Sequence, residues 1–356
     1  MAFTPPRSRR SPFLSPMLLS AVALCALAVV GCKTKSEPPP PEPAAAAPTP
    51  PPAPAKTPLR VAYSDWPGWT AWEVALQKGW FKEEGVEVQF SWFDYLPSLD
   101  AYSAGKVDAV AVTNGDALVT GANGAKSKLI LINDYSNGND QIIAGPKVKT
   151  FKDLKGKKVG LELTLVDHLL FLKGIEKFGM KPEDVSLVNF PTNETPQALA
   201  SGQVAAIGAW YPVAGQARKA VAGAKTLFSS ADAPGLIYDT LAVNPTSLAQ
   251  RKEDWAKLVK IWYRVSDFVR DPKTQAEAVA IMAAKVGVKP EEYAPHIPGT
   301  YFLSLAEAKK RFEKGETLES LYGSTKIADG FNVTNKVYKE AQAVEDYIFP
   351  DLVNAL

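Results

Sequence analysis

Short apolar blocks alternate with longer stretches in which apolar positions recur every three or four residues, from residue 59 almost to the end of the chain. The blocks at 59–63, 86–92, 109–113 and 129–133 read as strands. The stretches at 70–77, 96–104 and from 116 onward read as helices. The rhythm then restarts, with strands at 159–161, 187–190, 205–209 and 241–243 and helices from near 166 and at 196–201. Residues 255–270 and 275–284 are strongly helical in pattern. Such alternation predicts open α/β sheets rather than a bundle or a sandwich. Because it occurs twice, two lobes are expected. The first part of lobe 1 is placed at 59–141 and lobe 2 at 142–238, and 239–356 completes lobe 1 with C-terminal helices. The crossings between lobes are expected near 141–144 and 239–243.

In open α/β sheets ligands gather at the carboxyl ends of strands. The polar loops Ser64-Asp65, Thr113-Asn114 and Asn133-Asp134 all stand at such ends. Asp65, Asn114, Asp116, Asp134, Glu162 and Asp239 are therefore the candidate polar contacts, and Trp66, Trp69, Trp92, Trp210 and Tyr211 the candidate aromatic ones. Each has a plainer reading. Asp65 can cap the following helix, Asp239 can form a hinge salt bridge, and Asn114 and Asp134 can satisfy backbone groups. Trp69 and Trp92 can pack beneath a cleft, and Tyr211 can brace the turn at Pro212. Trp255 and Trp262 lie seven apart on one helical face, which is core spacing. Thr164 is a candidate cap for the helix containing His168.

The N-terminal region changes the picture. Arg7, Arg9 and Arg10 precede an apolar stretch at 17–30, and Val29-Val30-Gly31-Cys32 ends it. A basic start, an apolar segment and small residues before the break describe an export signal. The last four residues resemble a bacterial lipobox, which implies cleavage before Cys32 and a lipid on it. Residues 1–31 are then the signal peptide and 32–58 a lipidated cysteine with a Pro/Ala-rich tether, extended because proline removes backbone donors. Removing 1–31 takes three arginines and no acid from the formal charge of +2, leaving about −1. No basic stripe remains for a nucleic acid. Of the two cysteines, Cys25 lies in the signal and Cys32 at its end, so the folded body must hold together without a disulfide.

Several separated fragments resemble the substrate-binding proteins of bacterial ABC importers, in the nitrate, sulfonate and taurine group. These are Tyr63-Ser64-Asp65-Trp66-Pro67-Gly68-Trp69, Lys78-Gly79-Trp80-Phe81-Lys82-Glu83-Glu84-Gly85-Val86, Ala104-Gly105-Lys106-Val107-Asp108-Ala109, Asp153-Leu154-Lys155-Gly156-Lys157-Lys158-Val159 with His168, and Ala209-Trp210-Tyr211-Pro212. The Tyr63 to Trp69 form also looks like importer components found beside urea- and guanidine-using systems. The resemblance implies a two-lobed periplasmic-binding-protein-like fold of type II, closing over a small solute. It implies a monomer in the bacterial cell envelope, facing the periplasm. The partners it implies are a membrane permease, indirectly its ATPase, and the membrane itself through the N-terminal lipid. No cofactor or metal is expected.

The substrate class departs from that group. The presumed cleft segments carry acids and indoles but no arginine, an arrangement that suits an organic cation through charge balance and cation–π attraction. A small nitrogenous cation is expected, with taurine, an alkylsulfonate or nitrate as the alternative, and solute sensing as a second role. An enzyme is not expected. The two histidines, His168 and His296, belong to no metal cluster, and neither a Gly-x-Ser-x-Gly elbow nor a phosphate loop occurs.

Overall fold

A computed structural model describes residues 57–356. The signal segment, Cys32 and the tether as far as residue 56 lie outside the described residues. In chain order the strands are β1 (Leu59–Tyr63), β2 (Val88–Trp92), β3 (Ala109–Thr113), β4 (Lys128–Ser136), β5 (Asp140–Ala144), β6 (Lys158–Leu161), β7 (Ser186–Asn189), β8 (Ala206–Trp210), β9 (Lys225–Ser229), β10 (Tyr238–Val243) and β11 (Thr300–Phe302). They form a six-stranded sheet in the order β11-β4-β10-β3-β1-β2 and a five-stranded sheet in the order β7-β6-β8-β5-β9. This is the two-lobed, periplasmic-binding-protein-like α/β fold.

The two sheets repeat one plan. Three parallel strands, β2-β1-β3 or β7-β6-β8, meet a strand of opposite direction that has arrived from the other lobe. That strand is β10 in the first sheet and β5 in the second, and both are buried along their whole length. Strands covered on both faces read as continuous apolar runs, which is why 109–113 and 205–209 were visible in the sequence.

The chain leaves the first sheet after Ser136 and enters the second at Asp140. It leaves the second after Ser229 and re-enters the first at Tyr238. The expected crossings at 141–144 and 239–243 are therefore corrected. Both segments are strands, and the crossings are the turns before them. Gly138, at φ 123°, makes the first of these turns possible.

Packing fixes the strand ends that matter. The helix Lys252–Arg270 buries Trp255 and Trp262 completely beneath the first sheet. Trp262 packs on Trp72 with ring centroids 4.6 Å apart, a contact of a kind that adds about 0.5–1.5 kcal/mol beyond area burial. The helix Leu321–Thr334 ties the lobes together. Its Ser324 and Thr325 hydroxyls accept from Asn114 at 3.0 and 3.1 Å, while its Phe331 meets His168 of the second lobe edge-on.

Candidate functional site

Register brings the polar strand ends together. Asp239 of β10 pairs with Thr113 of β3 on one side and with Asp134 of β4 on the other. In the second sheet Asp140 of β5 lies opposite Trp210 of β8. Paired residues project to the same face, so the two lobes present acids and an indole to the space between them.

A row of rings spans that space. Trp66 and Trp69 meet at 61° with centroids 6.5 Å apart. Trp69 stacks on Tyr95 at 5.4 Å, and Tyr95 meets Trp210 of the other lobe edge-on at 5.4 Å. Three of the rings are pinned by a carboxylate. Trp66 Nε1 donates to Asp134 at 3.0 Å, Tyr95 OH to Asp116 at 2.7 Å and Trp210 Nε1 to Asp65 at 2.8 Å. The indole N–H of Trp69 has no partner. The Trp210–Asp65 bond also bridges the lobes, as does the bond from the Val166 N–H to Asp116 at 3.3 Å. That second bond satisfies one of the free donors that begin the helix Val166–Lys177.

Two cavities meet at Tyr95 and Trp210. The inner one is lined by Trp66, Trp69, Thr113, Asp140 and Asp239, among others, and is nearly filled by them, with a volume of about 10 Å³. The outer one, about 230 Å³, adds Asp65, Asp94, Asp100, Glu162 and Glu194. Neither lining includes a lysine, arginine or histidine.

Burial without a basic partner raises these acids. It pushes Asp65 and Asp116 up to about 6, Glu162 and Asp140 up to about 7, and Asp134 up to about 8. Asp167 and Asp239 rise well above their ordinary value, by burial first and by repulsion from neighbouring carboxylates second. Glu162 and Asp167 share the Thr192 hydroxyl, at 3.0 and 3.3 Å. One oxygen of Asp167 is buried with no hydrogen-bond partner, and one each of Asp134 and Asp239 has none except the other carboxyl of that pair, to which a shared proton links it. An unpaired buried polar atom is costly, and acceptors of this kind fit donors brought by a ligand.

Of the sequence candidates, Asp65, Trp66, Trp69, Glu162, Trp210 and Asp239 line a cavity, and Asp116 and Asp134 stand behind its rings. Three candidates are corrected. Trp92 is 40% exposed on β2, the edge strand of its sheet, against Tyr63 and under Lys285, away from both cavities. Asn114 is consumed by the fold. Its amide donates to Ser324 and Thr325, and its carbonyl accepts from the Tyr238 N–H. Tyr211 braces its turn, stacked on His296 at 3.8 Å with its hydroxyl donating to the Glu292 carbonyl. Thr164 is no cap either. Its N–H donates to His168 Nδ1, and the helix begins after Leu165 without a side-chain cap.

Sequence reasoning missed Tyr95, Asp140 and Asp167. Tyr95 opens a helix and resembles a core aromatic, and Asp167 resembles an ordinary acid in a helix's first turn. The turn-forming Asn137-Gly138-Asn139 before Asp140 was the one available signal. Among the described residues no three His, Cys, Asp or Glu side chains converge in a way that would hold a metal ion.

Comparison with known proteins gives consistent results. The family described as NMT1/THI5 like matches residues 66–275. A protein of Brucella abortus (strain 2308), named as a binding protein, is 32% identical over 177 residues, which is 49% of this chain and 54% of that one. The chain thus spans about half the length of the curated relatives it matches. Among solved structures, the alkanesulfonate-binding protein SsuA of Xanthomonas axonopodis pv. citri, bound to MOPS, superposes with a TM-score of 0.70 at 15% identity, covering 84% of this chain and all of that one. The nitrate-binding protein NrtA of Synechocystis PCC 6803 gives 0.68 at 12% identity, over 83% and 87%. The desulfurization enzyme DSZB gives 0.60 at 14% identity, over 83% and 98%.

Proposed function

Given that the chain belongs to the NMT1/THI5-like family, we propose that it is the solute-binding component of an ABC importer and that its solute is a small nitrogenous cation. The carrying observation is the cleft itself, where buried carboxylates and stacked rings occur without one basic side chain in the lining. A cation entering it gains charge balance from the acids and attraction from the ring faces, both strengthened by the exclusion of water. An anion would meet repulsion. The helix N-terminus that would offer it donors is already engaged by Asp116 of the opposite lobe.

Capture proceeds without covalent change. Solute favours the closed arrangement only as far as it binds that arrangement better than the open one. The closed lobes are then presented to a membrane permease, with a lipid on Cys32 keeping the protein at the membrane. Asp65 and Glu162 contribute charge at the mouth, and Trp66, Trp69 and Trp210 the walls.

A second reading, an organic sulfonate or nitrate as solute, is favoured by the ligands named for the similar solved structures. Calorimetry of the 59–356 body with guanidinium, methylammonium, taurine, ethanesulfonate and nitrate separates the two. Saturable cation binding, weakened about tenfold by Asp65→Asn in a folded protein, is expected. Selective anion binding would overturn the cationic solute and keep the importer.

A further inference from the structure

Away from the cleft, one segment departs from the otherwise dispersed basic charge of the chain. Residues 147–158 hold six lysines and a single acid, and all six lysines are exposed. The acid, Asp153, is spent on the backbone, accepting from the Lys149 and Thr150 N–H groups at 2.9 and 2.8 Å. Lys155 has an ion pair, with Asp184 at 3.1 Å. The ammonium groups of the other five make no ion pair or hydrogen bond with any described residue. Other exposed lysines are treated differently. Lys78, Lys219 and Lys260 each meet a glutamate, at 2.6, 2.6 and 2.9 Å.

Strand pairing fixes where the segment lies. It enters β6 at Lys158, opposite Ser186 of β7. Ala206 of β8, Ala144 of β5 and Lys225 of β9 stand at the same edge of the sheet. The cleft takes the other edge, where Asp140 lies opposite Trp210. Strands of four or five residues at about 3.3 Å each hold the two edges about 15 Å apart. An occupant at this pole of the second lobe therefore leaves the cleft clear.

Beside Lys147, Lys157 and Lys158 opens a cavity of about 420 Å³. Its lining includes no acid, and Val148, Leu199, Val204 and Val221 make its floor apolar. Uncompensated ammonium groups around an apolar floor fit an anion that carries hydrocarbon. An acidic peptide would satisfy the lysines and leave the floor in water. A phospholipid brings phosphate and hydrocarbon together, and the remaining lysines of the segment then face neighbouring headgroups.

We propose that this pole of the second lobe is a docking surface for an anionic phospholipid bilayer, with one headgroup held by Lys147, Lys157 and Lys158. The importer reading places a bilayer at hand, but the chemistry of the surface does not depend on the solute.

The test is cosedimentation with vesicles. The body 57–356 is used, because both sheets and the helices packed on them lie within it, and neither a signal segment nor a lipid can then carry the binding. Vesicles of phosphatidylcholine alone are compared with vesicles containing about 30% phosphatidylglycerol, in about 50 mM salt. Binding to the anionic vesicles alone is expected, with loss near about 500 mM salt, where screening shortens to a few Å. Lys147→Gln/Lys157→Gln/Lys158→Gln should weaken it about a hundredfold, at roughly fivefold per lysine. Lys82→Gln/Lys126→Gln/Lys310→Gln removes the same charge from elsewhere and should leave binding within about twofold. Gln203→Glu, at an exposed residue of the lining, introduces an acid where there is none and should weaken binding about fivefold without threatening the fold. Equal loss in the two triple variants, equal binding to neutral vesicles, or no binding at low salt overturns the proposal. Polyglutamate held more tightly than the anionic vesicles also overturns it, in favour of an acidic protein partner. Solute calorimetry on the same variants reads the cleft alone, so the solute reading stands or falls separately.

Discussion

Asp108 and Asp239 are the same residue type at opposite ends of one strand pair, and the fold treats them in opposite ways. Asp108 follows the turn into β3 and is met by Arg60, whose Nη2 stands 2.7 Å and Nε 3.1 Å from its oxygens, with the Arg60 backbone N–H at 2.9 Å. Partial burial pulls it upward, but these donors outweigh burial and hold it below its ordinary value. Asp239 is buried more deeply, has repelling carboxylates for neighbours and rises. Several carboxylates that serve only the scaffold are accompanied by a base and N–H groups, as at Asp184, Asp232 and Glu307. The cleft acids lack that company although lysine and arginine are plentiful in the chain. Their missing counter-charge is the strongest argument that it comes from outside.

That contrast can be broken at several points, the largest first. Trp210→Ala removes a cage wall and the bond to Asp65 together. Cation affinity should fall by about 2–3 kcal/mol, some 30- to 150-fold by calorimetry, while circular dichroism stays native. Gly68→Ala drives a methyl group into Asp134. A loss of about 1–3 kcal/mol in denaturant stability is expected, together with weaker binding. An unchanged midpoint would show that the carboxylate pair has room to move.

The pH response sharpens the comparison further. Glu162, Asp140 and Asp134 keep protons in the folded chain at pH values where the unfolded chain, with carboxyls near 4, has lost them. The folded state is therefore favoured at low pH, and stability falls as pH rises through about 7 to 8. Burial lowers His168 to about 4 and also lowers His296, and these act in the opposite sense but only below about 6.5. Between about pH 6.5 and 8.5 the melting temperature should drop while cation affinity climbs. Parallel trends would contradict an unpaired acidic cleft. The smallest effect belongs to the control. Asp108→Asn should cost about 0–1 kcal/mol, because Arg60 is well exposed, and should leave cation affinity unchanged.

β1, β3 and β8 were legible because their burial writes itself into the sequence as apolar runs, whereas β5, just as buried, was read as a crossing and β9 and β11 were not foreseen. β1 and β3 occupy 59–63 and 109–113 as expected, and the acids at their ends follow from strand polarity alone. What the pattern could not carry was lateral position. Trp92 ends a strand as Trp210 does, but β2 lies at the sheet's edge and β8 in its interior, and only pairing decides that. The uses of Asn114 and Asp116 were equally hidden. Two residues apart, one is held by Ser324 and Thr325 from a helix 200 residues later, the other by Tyr95 and Val166. Hydrogen bonds between such distant segments leave no periodic trace.

The place of β10 has a consequence for how the protein comes into being. This strand lies between β4 and β3, so the first sheet is split until it arrives. It is made only after the whole second lobe, about 100 residues after β4. The first lobe therefore has no complete core of its own during synthesis, and Asp134 stays without Asp239 beside it until the chain returns. Contacts this far apart in sequence slow the search for the native state and bind distant regions into one cooperative transition. A fragment ending before Tyr238 should not fold as half a protein, and the carboxyl pair is among the last features to be assembled.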